Sequence, residues 1–256
     1  MNDGELRPSE GWGVIHLFLR TERGEDGSGI LQAIARFTEE ADPNQAIVFS
    51  VLGGRADLGL MLLSSDLDQL DRVVKDITGG PVECLDSFVS LTEHSEYTTT
   101  EDEERARLES TGEADVEGTL TTWRDRMAHY KDARLHPRLP AKRFICFYPM
   151  SKSRIPGANW FEVPFDERKA LMRGHATTGR TYSGRVLQLI TGSTGLDDWE
   201  WGVTLLADDP VAVKEIVYEM RFDAASAKYA LFGPFWVGLV MAPAAALSRA
   251  GLRVGA

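Results

Sequence analysis

Short apolar runs punctuate the chain, and between them apolar residues recur every three or four positions. "GVIHLFLR" from Gly13, "IVFSV" from Ile47, "GLMLLSS" from Gly59 and the run over 82–92 have strand length and strand composition. A helical pattern near 29–40 follows the first run. Another, carrying Leu70, Val73, Val74 and Ile77 behind an acidic start, follows the third. The same order then returns. "KRFICFYPM" from Lys142 leads to a helical pattern near 164–178, then to "VLQLITG" from Val186 and "GVTLLADD" from Gly202. Val213, Ile216, Val217 and Met220 repeat the spacing of Leu70, Val73, Val74 and Ile77, and a strand over about 231–241 closes the series.

Each half therefore reads β-α-β-β-α-β, the ferredoxin-like order, and two such halves can lay their sheets together. The expected fold class is α+β rather than a doubly wound parallel sheet, because the helices fall on one side of each sheet. The halves divide as residues 1–95 and 143–256, with 96–142 between them. Within that connection 96–117 is acidic and poor in large apolar residues, which predicts a linker or exposed loop. Residues 118–130 look helical around Leu120, Trp123 and Met127.

At 256 residues and 43% hydrophobic content the chain can bury a sizeable core. It has no apolar run of membrane-spanning length, and "MNDGELRPSEGWG" lacks a basic segment followed by an apolar one, so a cytoplasmic protein is expected. Cys84 and Cys146 lie far apart in strand-like runs without a CxxC partner, which predicts small core residues rather than a disulfide or zinc site. A net charge of -11 argues against nucleic acid or an anionic membrane as the main partner. Against that background Lys131, Arg134, Arg138, Lys142, Arg143, Lys152 and Arg154 form a basic island broken only by Asp132. It suits either a local anionic ligand or a solvated face that balances the acidic stretch before it.

Three side chains stand out. In "PFDERKALMRGHATTG" His175 shares a helix face with Leu171 and Met172. A lone histidine there is commonly a hydrogen-bonded core residue. It can also be the single protein ligand to a porphyrin iron, which needs no second side chain. In "GRVLQLITG" the row Val186, Gln188, Ile190 has one polar member, and Leu187 and Leu189 line a second face that also looks buried. Gln188 must then meet backbone, water or a ligand. In "FICFYPMSK" Tyr148 ends an apolar row beside Lys152 and Arg154, either as a packed amphipathic ring or as an oxidisable group. The matching helix of the first half, "LQAIARF", carries no histidine, so the repeat has one chemically equipped copy.

"FICFYPMSKSR", "NWFEVPFDERKALMRGHATTGRTYSGRVLQLITGS", "GLDDWEWGVTLLADDP" and "IVYEMRFDAASAKYALFGPFWVG" together resemble the coproheme decarboxylases of the chlorite-dismutase-like family, in the form typical of Firmicutes. The likeness is specific over 130–241 and mainly architectural before that. It implies a dimeric α+β barrel of two ferredoxin-like halves, assembled as a homopentamer, with porphyrin only in the C-terminal half. By resemblance His175 is the axial iron ligand, Gln188 the distal residue, and Tyr148 the tyrosine that becomes an oxidising radical. Lys152, Arg134 and Ser226 resemble groups that hold propionates, Pro149, Met150 and Ser151 line the same site, and Arg221 is a further propionate contact. Ala176 stands where a glycine commonly follows the histidine. The implied reaction is the hydrogen-peroxide-dependent oxidative decarboxylation of iron coproporphyrin III (coproheme) to haem b, so that substrate is also cofactor. Chlorite dismutation on the same fold is the nearest alternative, but it uses a distal arginine where this chain has Gln188. A non-catalytic haem-binding or delivery protein is another, and would not require Tyr148.

Overall fold

The computed structural model describes residues 5–40 and 43–255; the first four residues of the N-terminal stretch considered above lie outside them. The first half contains β1 (Gly13–Thr21), α1 (Ser28–Glu40), β2 (Gln45–Val51), β3 (Leu58–Ser64), α2 (Leu67–Thr78) and β4 (Val82–Thr92). Then come α3 (Glu101–Ser110) and α4 (Val116–Leu135). The second half begins with β5 (Phe144–Lys152), a small hairpin of β6 (Arg154–Ile155) and β7 (Ala158–Asn159), and α5 (Phe165–Arg180). It continues through β8 (Val186–Gly192), β9 (Trp201–Ala207), α6 (Pro210–Met220), α7 (Ala224–Tyr229), β10 (Ala230–Phe232), β11 (Trp236–Met241) and α8 (Pro243–Arg249).

Strand order is β2-β3-β1-β4 in the first half and β11-β5-β9-β8 in the second, the same pattern twice. Antiparallel pairing of β11 with β2 and of β4 with β8 joins the halves, and β5 pairing with β9 closes the sheet into an α+β barrel. Closure removes exposed strand edges. Alternation along each strand then sorts side chains into three cores. Val14, Phe18, Phe49, Met61, Phe88, Ile145, Phe147 and Trp236 fill the barrel. Leu17, Leu19, Ile30, Ile34, Phe37, Leu70, Val73 and Ile77 pack between the first half and α1 and α2. Phe144, Cys146, Tyr148, Val203, Leu205, Val213 and Ile216 cover the outer face of the second half. Burying each of the larger apolar side chains stabilises the fold by about 1.5–3 kcal/mol. The repeat extends to helix starts: Asp66 caps α2 by accepting from Asp68 N, and Asp209 caps α6 by accepting from Val211 N.

Four expectations change. Residues 101–110 of the acidic connection form a helix rather than a loop, because Thr100 and Glu103 make a capping box and the carboxylates of the first turn sit at its positive end. The last strand breaks into β10 and β11 where Gly233 N donates to Pro149 O at 2.8 Å. An added Cβ on Gly233 would fall 2.7 Å from Pro149 Cγ, so only glycine fits. Cys84 is exposed, unlike buried Cys146, because the start of β4 projects beyond the core. Leu187 is also exposed, at the start of β8, although Leu189 and Thr191 on the same face are buried.

The equivalent helices of the two halves pack differently. α1 buries Ile30, Ala33, Ile34 and Phe37. α5, which carries His175, buries only Lys169 and Gly179 and so seals no apolar side chain against the sheet.

Candidate functional site

α5 starts behind Pro164 with Asp166 and Glu167 in its first turn, a favourable arrangement at the positive helix end. It presents His175 to the start of α7, where Asp223 has two tasks. Its Oδ1 caps α7 by accepting from Ser226 N at 2.9 Å, and its Oδ2 lies 2.9 Å from His175 Nδ1. Ser226 Oγ is 3.4 Å from the same nitrogen. The carboxylate assigns the proton to Nδ1 and leaves the Nε2 lone pair as the ring's donor to a metal. Burial works against ionisation of Asp223, but the bonds from His175 and Ser226 more than offset it and hold the carboxyl below its ordinary range.

Lys152, at the end of β5, reaches this cluster. Its Nζ lies 3.5 Å from Ala225 O and 4.4 Å above the Trp160 ring, and the residue is 7% exposed. Burial brings its pKa down from an ordinary 10.5 to about 8, against the opposing fields of Asp223 and Glu200. Four residues earlier on the same strand face, about 13 Å away at 3.3 Å per residue, Tyr148 stacks on Phe235 with ring centroids 4.4 Å apart. Burial, then the neighbouring Cys146, pushes the phenol up, while Arg221 opposes them. Arg221 caps the end of α6 and lies over Phe232 at 4.8 Å.

Arg134, in the last turn of α4, donates from one guanidinium nitrogen to Gln188 O at 3.1 Å, while its buried Nε has no hydrogen-bond partner among the described residues. Gln188 donates through Nε2 to Gly179 O at 2.9 Å, so its amide is satisfied by backbone at the end of α5. Strand alternation puts Met150 with Tyr148 and Lys152 but turns Pro149 and Ser151 to the other face. Pro149 lines an inner cleft of about 610 Å³ with Phe88, Phe147 and Trp199, and Ser151 Oγ accepts from Glu200 N. The side chains of Pro149 and Ser151 therefore do not share the Tyr148 face. The basic island also disperses, since Lys131 pairs with Glu10, Lys142 with Asp208 and Arg154 with Glu200.

Among the described residues no group of three or more His, Cys, Asp or Glu side chains could hold a metal. An ion at His175 must bring its remaining donors with it. A carboxylate-bearing porphyrin fits: it supplies those donors, and the unpartnered Arg134 Nε and the desolvated Lys152 ammonium offer charge-assisted bonds to its carboxylates.

Residues 27–241 match the chlorite dismutase family. The chain belongs to that family. It is 36% identical to the coproheme decarboxylase of Thermus thermophilus over 247 residues, 90% of each chain. A solved structure from the same species, described as a novel haem-binding protein, is 34% identical, with a TM-score of 0.78 over 98% of this chain and 99% of that one. A longer protein of Natronomonas pharaonis is 38% identical over 252 residues, 91% of this chain but 40% of its own length. Asp223, Trp160 and Glu200 contact the candidate residues His175 and Lys152 and were not singled out from the sequence. "FDAAS" carries a helix-cap signal at Asp223, but only the fold shows that the same carboxylate meets a histidine 48 residues away.

Proposed function

We propose that this protein binds coproheme and, with hydrogen peroxide, decarboxylates it oxidatively to haem b. The carrying observation is that α5 holds His175 against Asp223 while burying no apolar side chain on the sheet, with a phenol, Tyr148, buried on the strand that ends at Lys152. The name of the Thermus relative supports the same reading.

The bound iron porphyrin supplies the oxidising power when it meets peroxide. His175 would give Nε2 to the iron, while Asp223 holds Nδ1 and so fixes the orientation of the ring. Lys152, Arg134, Arg221 and Ser226 would hold the carboxylates of a bound porphyrin, with Met150 and the Gln188 strand as walls. Burial disfavours the phenolate of Tyr148 and keeps the hydroxyl protonated at neutral pH. Tyr148 therefore gives up electron and Oη proton together, and the resulting phenoxyl takes a hydrogen atom from a propionate arm. One peroxide accepts the two electrons that leave with each carbon dioxide. Mixing the purified protein with coproheme, adding peroxide stepwise and following porphyrin mass tests the reading. Two successive losses of carbon dioxide are expected, and an unchanged mass with rapid oxygen release from chlorite would replace it.

A further inference from the structure

α5 seals no apolar side chain on the barrel and packs only Leu171 and Met172, partly buried, against Trp160, Ala225 and Tyr229, so polar contacts from its flanks help to set its place. Two come from the acidic connection. Lys169, only 8% exposed, has both carboxylate oxygens of Glu103 at 2.6 Å from its Nζ. Arg168 donates from Nε to Tyr97 Oη at 3.2 Å and from a terminal nitrogen to Val163 O. Lys169 lies six residues before His175, about 9 Å along the axis and roughly 120° round the helix, so Glu103 grips a flank the histidine does not use. Tyr97 also stacks on Phe165 at 5.7 Å and stands edge-on to Trp160 at 6.4 Å, the ring that lies beneath the Lys152 ammonium. One short stretch thus touches the helix of the axial histidine and the platform under Lys152.

The stretch is itself tied down. Thr100 and Glu103 close the capping box of α3, and Arg124 holds Glu101 through two nitrogens at 2.8 and 2.5 Å, tying α3 to α4. Leu108 of α3 and Leu120 of α4 are both buried. Glu103 therefore brings Lys169 to a fixed support rather than to a loose chain.

We propose that Glu103 and Tyr97 are positioning residues, docking on Lys169 and Arg168 to hold α5, and with it His175, in place relative to Lys152, and so slowing porphyrin escape. This rests on the coproheme reading above. The coupling is reciprocal: a bound porphyrin that fixes α5 also strengthens the docking of α3.

The test uses Lys169→Glu, Glu103→Lys and the double swap, with two readouts. The first is coproheme release into excess scavenger protein, and the second is hydrogen exchange of residues 165–180 in the ligand-free chain. Each single variant should release coproheme about tenfold faster, within the usual range of site-to-site coupling, and exchange faster along α5. The double swap should return both towards the parent. Should a charge reversal unfold the chain, Tyr97→Phe, which keeps the ring but removes the hydroxyl that accepts from Arg168 and bonds Glu96, must show the same changes in smaller measure. Parent-like exchange and release in the folded variants would overturn the positioning role while leaving the coproheme reading intact. A parent that binds no coproheme would overturn that reading and this proposal with it, whatever the exchange shows.

Discussion

Replacing Lys152 by methionine should make the ligand-free protein more stable while weakening its hold on coproheme. The ammonium is charged at pH 7 although burial has brought its pKa from 10.5 to about 8. At about 1.4 kcal/mol for each tenfold change in proton affinity, that burial costs about 3 kcal/mol. The unfolded chain binds this proton up to about pH 10.5 and the folded chain only to about pH 8. The cost is therefore fully present below pH 8 and is relieved as pH rises through that window. Methionine keeps the length and the contact with Trp160 without the charge, and replacing a buried charge by an apolar group commonly stabilises by about 1–4 kcal/mol. Urea unfolding at pH 7 should favour Lys152→Met by about 1–3 kcal/mol, and by pH 9.5 the gap should shrink by about 2 kcal/mol. Coproheme titrations should show the parent losing affinity as pH climbs through about 8 and the variant weaker and insensitive there. A variant less stable than the parent at pH 7, or a parent affinity flat from pH 7 to 9.5, would refute the account.

Tyr148→Phe should bind coproheme as the parent does yet yield no decarboxylated product by mass; ordinary turnover would remove the phenol from the reaction. His175→Ala should lose high-affinity iron binding in a coproheme titration. Asp223→Asn should weaken it by about 10–100-fold, the usual cost of losing the carboxylate behind a ligating histidine, and an affinity equal to the parent's would count against the pair. His16 is wholly buried, bonds Thr204 at 2.9 Å and stacks on Phe147, and burial lowers its pKa to about 3. The folded chain then leaves it neutral while the unfolded chain protonates it below about 6.5, so stability falls as pH drops through that range. The drop it causes between pH 7 and 5 is about 2 kcal/mol, and His16→Gln should remove most of it in urea titrations.

The barrel was legible because its signals are local and doubled. Strand periodicity separated Leu17 and Leu19 from Val14 and Phe18, and the repeat placed Val213 and Ile216 where Leu70 and Val73 lie. α3 was not, because its helix signal is a capping box inside a run of charges and it buries only Glu104 and Leu108. In the site, a period of two put Tyr148, Met150 and Lys152 on one face, and the same rule applied strictly would have turned Pro149 and Ser151 away from it. The links from Asp223 to His175 and from Glu103 to Lys169 span 48 and 66 residues, and no local pattern carries them.

The unequal burial of α1 and α5 has an evolutionary consequence. After an ancestral duplication, the copy bearing α1 could supply folding stability while the other drifted at its helix without unfolding the whole. In such a chain new side chains can be tried along α5 at little risk to the barrel. Substitutions that change what the pocket accepts should therefore gather in the second half, while those that abolish expression gather in the first.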